Sequence, residues 1–411
     1  MSMFFEPVVK LSNALNSLNS GYADLSFEEQ KALTVLERIK LYNWTFEFYA
    51  LGALVLIFLA YTIGTKVNSG RGRQLMMSLN QVFNDLAFAK IGFTTKGPQN
   101  QPFVAENNNT WFTTYTSGRS SIESITARAH LLSRFNPLSI IMEKVLGIFF
   151  PSLVAKDLEE FLEVTIVPNG HYVTSSAAPL PKDTSSASSV VNKFKFISAI
   201  VNKSDMAKAR EANYYLSLTH TSESDKLPFE YVFMSENNQL NGLFEFYGGA
   251  EFRELLSQST KFLSFIAFTD LPEEKPVTEK TWELSLQPRC VIRTKMVTGS
   301  ADLARLNQLI KEVVAIVDAA TQHFVQNPSK AFITNDMLKK FSNLRSQELA
   351  KIVKVVKQTE RELLQEKKQD LEREKRRQAR NKLSGEDQDK VDQKMREKRE
   401  RRQRNRQKVR M

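Results

Sequence analysis

The residues whose type and spacing could do chemistry lie at the C-terminal end of this 411-residue chain, and they are cations. Arg373, Lys375, Arg376, Arg377 and Arg380 crowd one stretch, and Lys398, Arg399, Arg401, Arg402, Arg404 and Arg406 crowd a second. Such groups repeated along an exposed helix neutralise phosphates and release their counterions, which gives salt-sensitive binding that ignores base sequence. A structured RNA surface, read by shape and backbone, is the partner this pattern suits first. Two other readings stay open. One is a solvated charged helix that binds nothing specific; the other is attraction to anionic lipid, worth about 1 kcal/mol per basic residue near the membrane surface.

Covalent chemistry has no comparable support. The sequence contains no phosphate-cradling Gly loop, no G-x-S-x-G elbow and no H-E-x-x-H. Cys290, in QPRCVIR, has no local signature of a nucleophile, and as the single cysteine it excludes an intrachain disulfide. His130, His171, His220 and His323 stand apart with no metal-ligand spacing. Acidic pairs such as Glu159-Glu160 are expected on a solvated helix face. The expectation is a non-enzymatic protein with no cofactor and no metal.

The charge distribution separates tail from body. The chain has 57 Lys and Arg against 46 Asp and Glu, and residues 351–411 alone hold 23 against 12, so residues 1–350 balance at 34 against 34. The whole net charge of +11 belongs to the tail, which makes the tail the part that seeks a polyanion.

What positions the tail is set by Phe48 to Thr65, FYALGALVLIFLAYTIGT, which carries no charge between Glu47 and Lys66. Eighteen helical residues reach about 27 Å, close to the roughly 30 Å hydrocarbon thickness of a bilayer. Trp44, Phe46, Tyr49 and Tyr61 lie where interfacial aromatics sit. The run is expected to span a membrane once and to act as its own targeting signal, because MSMFFEPVVKLSNALNSLNS lacks the charged, apolar and small-residue order of a cleavable signal. Residues 1–47 are then a short lumenal segment in which LSFEEQKALTVLERIKLYNW forms an amphipathic helix capped by Ser26 and Glu29. Flanking charge leaves orientation tied, with Lys31, Arg38 and Lys40 before the run and Lys66, Arg71 and Arg73 after it. A bare thiol and a basic tail favour a cytosolic C-terminal side. The sequon at Asn43 lies too close to the run to accept a glycan, and those at Asn108 and Asn202 would report the opposite arrangement if they were modified.

Residues 74–327 have the composition of a folded α+β (or α/β) domain, which this orientation makes cytosolic. Leu75 to Phe88 is expected as a helix, Trp111 to Thr116 as a strand, and Pro137 as the first residue of a helix whose apolar stretch, Ile140 to Phe150, is assigned to the core ahead of the alternative, contact with the membrane surface. PSLVAKDLEEFL should continue as a helix, FLEVTIV as a strand, and residues 174–190 as a disordered Ser- and Pro-rich loop. Further strands are expected in FKFISAIV, at the end of MAKAREANYYLSL, in FEYVFMSEN and in CVIRTKMV, with Trp282 to Leu286 as an edge strand. EFRELLSQSTKFLSFIAFTDLP should give a helix and a strand, and Gly248-Gly249 marks a turn. Ala301 to Phe324 is a strong helix whose apolar stripe runs from Leu303 to Val317. Residues 335–383 form a long helix of roughly 70 Å. It carries a partial coiled-coil seam at Leu349, Ile352, Val356 and Leu363, and residues 386–411 form a last basic helix.

In this order the chain resembles the calumin family, the coiled-coil subunit of the PAT complex at the endoplasmic reticulum, and looks most like its fungal branch. The likeness rests on MAKAREANYYLSL at Met206, LPFEYVFMSE at Leu227, KFLSFIAFTD at Lys261, KTWELSL at Lys280 and LNQLIKEVVAIVDAATQHF at Leu306 running into the basic tail. The resemblance implies a cytosolic domain beside the Sec translocon and a small membrane partner, Asterix. It also implies intramembrane chaperoning of multipass proteins, and a tail whose basic residues from Lys351 to Arg410 reach ribosomal RNA. Animal members carry a long acidic lumenal segment associated with calcium binding; with six acidic and four basic residues, residues 1–47 here are no calcium buffer. The alternative is a membrane tether or scaffold whose tail binds acidic proteins or anionic lipid and affects calcium homeostasis only indirectly.

Overall fold

The computed structural model describes residues 25–93, 101–150, 158–173, 184–326 and 332–381, with single residues 393, 396, 397, 400 and 401. The expected segments over 1–24, 151–157, 174–183 and 327–331, and most of 386–411, lie outside the described residues. The chain divides into two units. One comprises Met1–Leu271 and Gln287–Thr334, the other Pro272–Leu286 and Asn335–Met411.

The first unit is built on an antiparallel sheet, so the class is α+β rather than α/β. Its described strands are β1 (Lys90–Ile91), β2 (Val104–Glu106), β3 (Trp111–Ser117), β4 (Ile122–His130), β5 (Phe161–Pro168), β6 (Ser198–Asn202), β7 (His220–Ser222), β8 (Tyr231–Ser235), β9 (Leu263–Thr269) and β10 (Arg289–Lys295). They lie in the order β1-β3-β4-β5-β10-β9-β6-β8-β7, with β2 also on β3. Alternation places Phe112, Ile125, Ala127, Leu162, Val164 and Ile292 on the core face. On the opposite face Glu163 stands between Arg128 and Arg293 in register, and it pairs with Arg293 at 2.6 Å. In β6 and β8 every residue is buried, which explains their nearly continuous apolar runs.

The helix Ser300–Gln326 closes the core. Leu303, Leu306, Leu309, Ile310, Val313, Val314 and Val317 are all buried, as their spacing predicts. It packs on β5 and on three helices, Thr45–Asp85, Gly242–Gln258 and Thr184–Asn192. The last of these replaces the end of the expected disordered loop. Ala187 and Val190, three residues apart, bury one face of it, and that burial offsets the poor local propensity of the Ser-rich sequence. Gly248-Gly249 is not a turn between elements but a kink within Gly242–Gln258, where Gly249 takes φ +65°.

Three further expectations are corrected by local chemistry. The residues before the apolar run form two short helices, Phe27–Ala32 and Val35–Leu41, because Thr34 with Glu37 makes a second capping box after that of Ser26 with Glu29. MAKAREANYYLSL is helical throughout most of its length, as Met206–Ala212 and Tyr214–Ser217, and the strand starts only at His220. In the second unit Trp282 to Leu286 is not an edge strand. The Thr278 hydroxyl accepts from the Thr281 N–H and the Thr281 hydroxyl accepts in return from the Thr278 N–H, which starts a helix at Glu279–Ser285.

Candidate functional site

Thr45–Asp85 is one helix of 41 residues, so the apolar run and the helix expected over Leu75 to Phe88 are continuous. Within it, residues 51–59 are exposed on every side, and Leu56 is 68% exposed. Water would be a costly solvent for that cylinder of Leu, Ile, Val and Phe, whereas lipid suits it. It is long and apolar enough to cross a membrane, and among the described residues it alone meets that test.

Gly64 marks where the helix acquires a partner. A Cβ there would lie 2.2 Å from the Arg134 carbonyl oxygen, and one at Gly72 would lie 2.2 Å from the Phe112 ring. Asn68 lies between them at the same four-residue spacing and is fully buried. Its side-chain amide donates to the Leu132 carbonyl at 2.8 Å, and its carbonyl accepts from Arg134 at 3.1 Å. Hydrophobic packing then takes over through Leu75, Met76, Leu79, Val82 and Phe83.

Glu160 completes the bracket. Its carboxylate pairs with Arg71 at 3.1 Å and with Arg134, and accepts from the Leu132 N–H at 3.2 Å. Burial works against its charge. The hydrogen bonds from Arg134 and Leu132 and the charges of Arg134 and Arg71 outweigh that cost and hold the carboxyl below the usual range. Glu160, with a side chain only 16% exposed, is thus a structural ion-pair centre and not part of a solvated helix face. Beside it His130 Nδ1 lies 2.8 Å from the Glu159 carbonyl, and Trp111 packs on the His130 ring with centroids 4.5 Å apart. Partners 26 to 89 residues apart give no local sequence signal. The small and polar residues at 64, 68 and 72 were the one available hint.

The stretch Ile140 to Phe150 is not core. It belongs to the helix Pro137–Phe149, capped by Asn136 with Pro137 at its start, and no residue of that helix is buried. Phe149 is 71% exposed and Ile148 77%. High apolar content alone does not say which solvent a helix faces.

The basic residues are placed as follows. Arg373 and Lys375 are exposed on the helix Asn335–Asn381, and Arg376, Arg377 and Arg380 lie in the same helix. Arg401 is helical and exposed, while Lys398, Arg399, Arg402, Arg404 and Arg406 lie outside the described residues. Residues 357–375 are exposed without exception, so of the expected seam Leu349, Ile352 and Val356 are at least half-buried and Leu363 is open. Leu349, Ala350, Val353, Lys354, Lys357 and Arg361, with Glu279, are among the residues that line a shallow groove of about 660 Å³.

Two groups that could support chemistry, Cys290 and His323, are placed as follows among the described residues. Cys290 is fully buried on β10, and burial pushes its thiol up, away from the reactive thiolate. His323 Nδ1 lies 2.9 Å from the Tyr247 hydroxyl, and burial raises that phenol to about 12. Among the described residues no three His, Cys, Asp or Glu side chains cluster as metal ligands would.

The family described as PAT complex subunit CCDC47 matches residues 43–402, from the start of the apolar helix into the basic tail. A UPF0674 endoplasmic reticulum membrane protein of Saccharomyces cerevisiae is 48% identical over 363 residues, covering 88% of each chain. A UPF0674 endoplasmic reticulum membrane protein of Schizosaccharomyces pombe is 26% identical over 284 residues, covering 67% of this chain and 68% of the relative.

Proposed function

The chain belongs to the PAT complex subunit CCDC47 family, and from that premise we propose that it is a non-enzymatic, single-pass protein of the endoplasmic reticulum membrane. It associates with ribosomes at the Sec translocon and assists the insertion and folding of multipass membrane proteins. The apolar part of Thr45–Asp85 is its span, and the C-terminal side is cytosolic. A small Asterix-like membrane protein is a candidate partner by family analogy.

One observation carries the ribosome part of this reading. The helix Asn335–Asn381 extends for about 70 Å at 1.5 Å per residue, and its distal turns offer the solvent charge and almost no apolar surface. A helix of that kind gains little from packing, so what it can recognise is a polyanion, through Arg373, Lys375 and the cations that follow. Orientation is supported by the same charge: a basic surplus of 11 over residues 351–411 suits the ribosome-bearing side. The competing reading is a membrane tether or scaffold whose tail holds acidic proteins or anionic lipid and touches calcium homeostasis only indirectly.

Sedimentation of ribosomes from detergent-solubilised cells separates the two. The full chain should enter the ribosomal pellet, leave it steeply as salt rises, and stay out when the chain is truncated after Gln365. If the full chain stays out of the pellet at low salt, the tether reading replaces this one.

A further inference from the structure

The helix Pro137–Phe149 inverts the usual amphipathic arrangement. Its half-buried side carries Ser139, Glu143 and Gly147 beside a single large apolar residue, Ile140, with the Ser139 hydroxyl donating to Glu143 at 2.7 Å. Its exposed side carries Leu138, Ile141, Met142, Val145, Ile148 and Phe149. A surface helix facing water shows the opposite pattern. One cation, Lys144, stands on the exposed side, and its long stem lets the ammonium reach a polar boundary while the stem lies in apolar surroundings.

Position says what covers this face. The helix starts three residues after Arg134, whose carbonyl abuts Gly64, and the Phe135 ring stands edge-on to Tyr61 with centroids 6.2 Å apart. Tyr61 and Gly64 lie in the last two turns of the apolar run, which ends before Lys66. The helix therefore begins at the level where the apolar cylinder of the span gives way to the folded unit. A solvent for its exposed side lies at that level already.

We propose that Pro137–Phe149 is an in-plane membrane anchor, lying in the interface of the same bilayer that the first long helix crosses. This rests on reading that helix as a span. The folded unit then meets the membrane at two places joined by the Asn68, Arg134 and Glu160 bracket, which fixes its rotation against the bilayer as a single span cannot. In-plane helices of this kind sit about 5–10 Å into the boundary between headgroups and acyl chains.

The test places an environment-sensitive fluorophore on single cysteines of the full chain, reconstituted in phosphatidylcholine vesicles whose acyl chains carry bromine at shallow or deep positions. Cys290 is buried and does not compete for label. Reporters at Ile141→Cys, Val145→Cys and Phe149→Cys should lose most of their emission to shallow bromines and less to deep ones. Leu54→Cys, in the span, should be quenched most by deep bromines, and Phe229→Cys, 84% exposed elsewhere on the unit, should not be quenched. If Leu54→Cys is quenched while the three helix reporters are not, the anchor is wrong and the span stands; a second copy or another protein then covers the face. If Leu54→Cys is not quenched, the span reading fails and the anchor falls with it.

Discussion

Asn68 donates its side-chain amide to the backbone carbonyl of Leu132 at 2.8 Å, across 64 residues of sequence and in a fully buried position. That contact ties the continuation of the apolar helix to the segment leading into Pro137–Phe149. Replacing Asn68 with Leu leaves the Leu132 carbonyl and the Arg134 guanidinium each short of a partner. The expected cost is about 1–3 kcal/mol, seen as an earlier thermal transition of the detergent-solubilised chain. An unchanged transition would mean that the bracket does not hold the unit together.

The pH dependence of the same bracket has a definite sign. Glu160 is held below its ordinary value of 4.5 in the folded state. Its contribution to stability is therefore complete above that value and disappears as pH falls through the lower, folded-state value. Glu160→Gln should lower stability at neutral pH and flatten the acid limb of the stability profile. A variant whose acid limb stays as steep as that of the native chain would assign the limb to other carboxylates.

Close approach of the long helix depends on Gly64 and Gly72. Gly72→Val drives two extra carbon branches toward the Phe112 ring, and Gly64→Val drives them toward the Arg134 backbone. Each should destabilise by about 1–3 kcal/mol, with the backbone clash at residue 64 the harder to relieve. Gly52, whose Cβ would meet nothing within 4 Å, is the control and should tolerate Ala.

The two downstream sequons differ as orientation reporters. Asn108 is exposed in a turn where Asn107, Asn108 and Asn109 all have positive φ, whereas the Asn202 side chain is spent on the Thr260 and Leu263 carbonyls. With the C-terminal side cytosolic, neither acquires glycan, and endoglycosidase treatment leaves the mobility of the chain unchanged. A shift abolished by Asn108→Gln would place the folded unit in the lumen.

For the tail, charge should appear as a salt slope. Arg373→Gln with Lys375→Gln removes two exposed cations without interrupting the helix. If both contact phosphate, the slope of log affinity against log salt for ribosomes should fall in magnitude by about 1 to 2. An unchanged slope would move the contact to the basic residues beyond them.

The sequence by itself determined the features that depend on composition and short-range periodicity. The apolar run, the stripe of the helix Ser300–Gln326, the alternation of β3 and β5 and the confinement of net charge to the tail all follow from neighbours within a few residues. Only the tertiary structure decided which solvent each apolar surface meets. Leu303 and Ile141 both lie on apolar faces of helices, yet one is buried in the core and the other, in the more apolar helix, stands exposed, because burial depends on what the chain brings alongside. The role of Glu160 was hidden for the same reason. Its charge is set by Arg71 and Arg134, and residues that far apart in sequence become neighbours only through the fold.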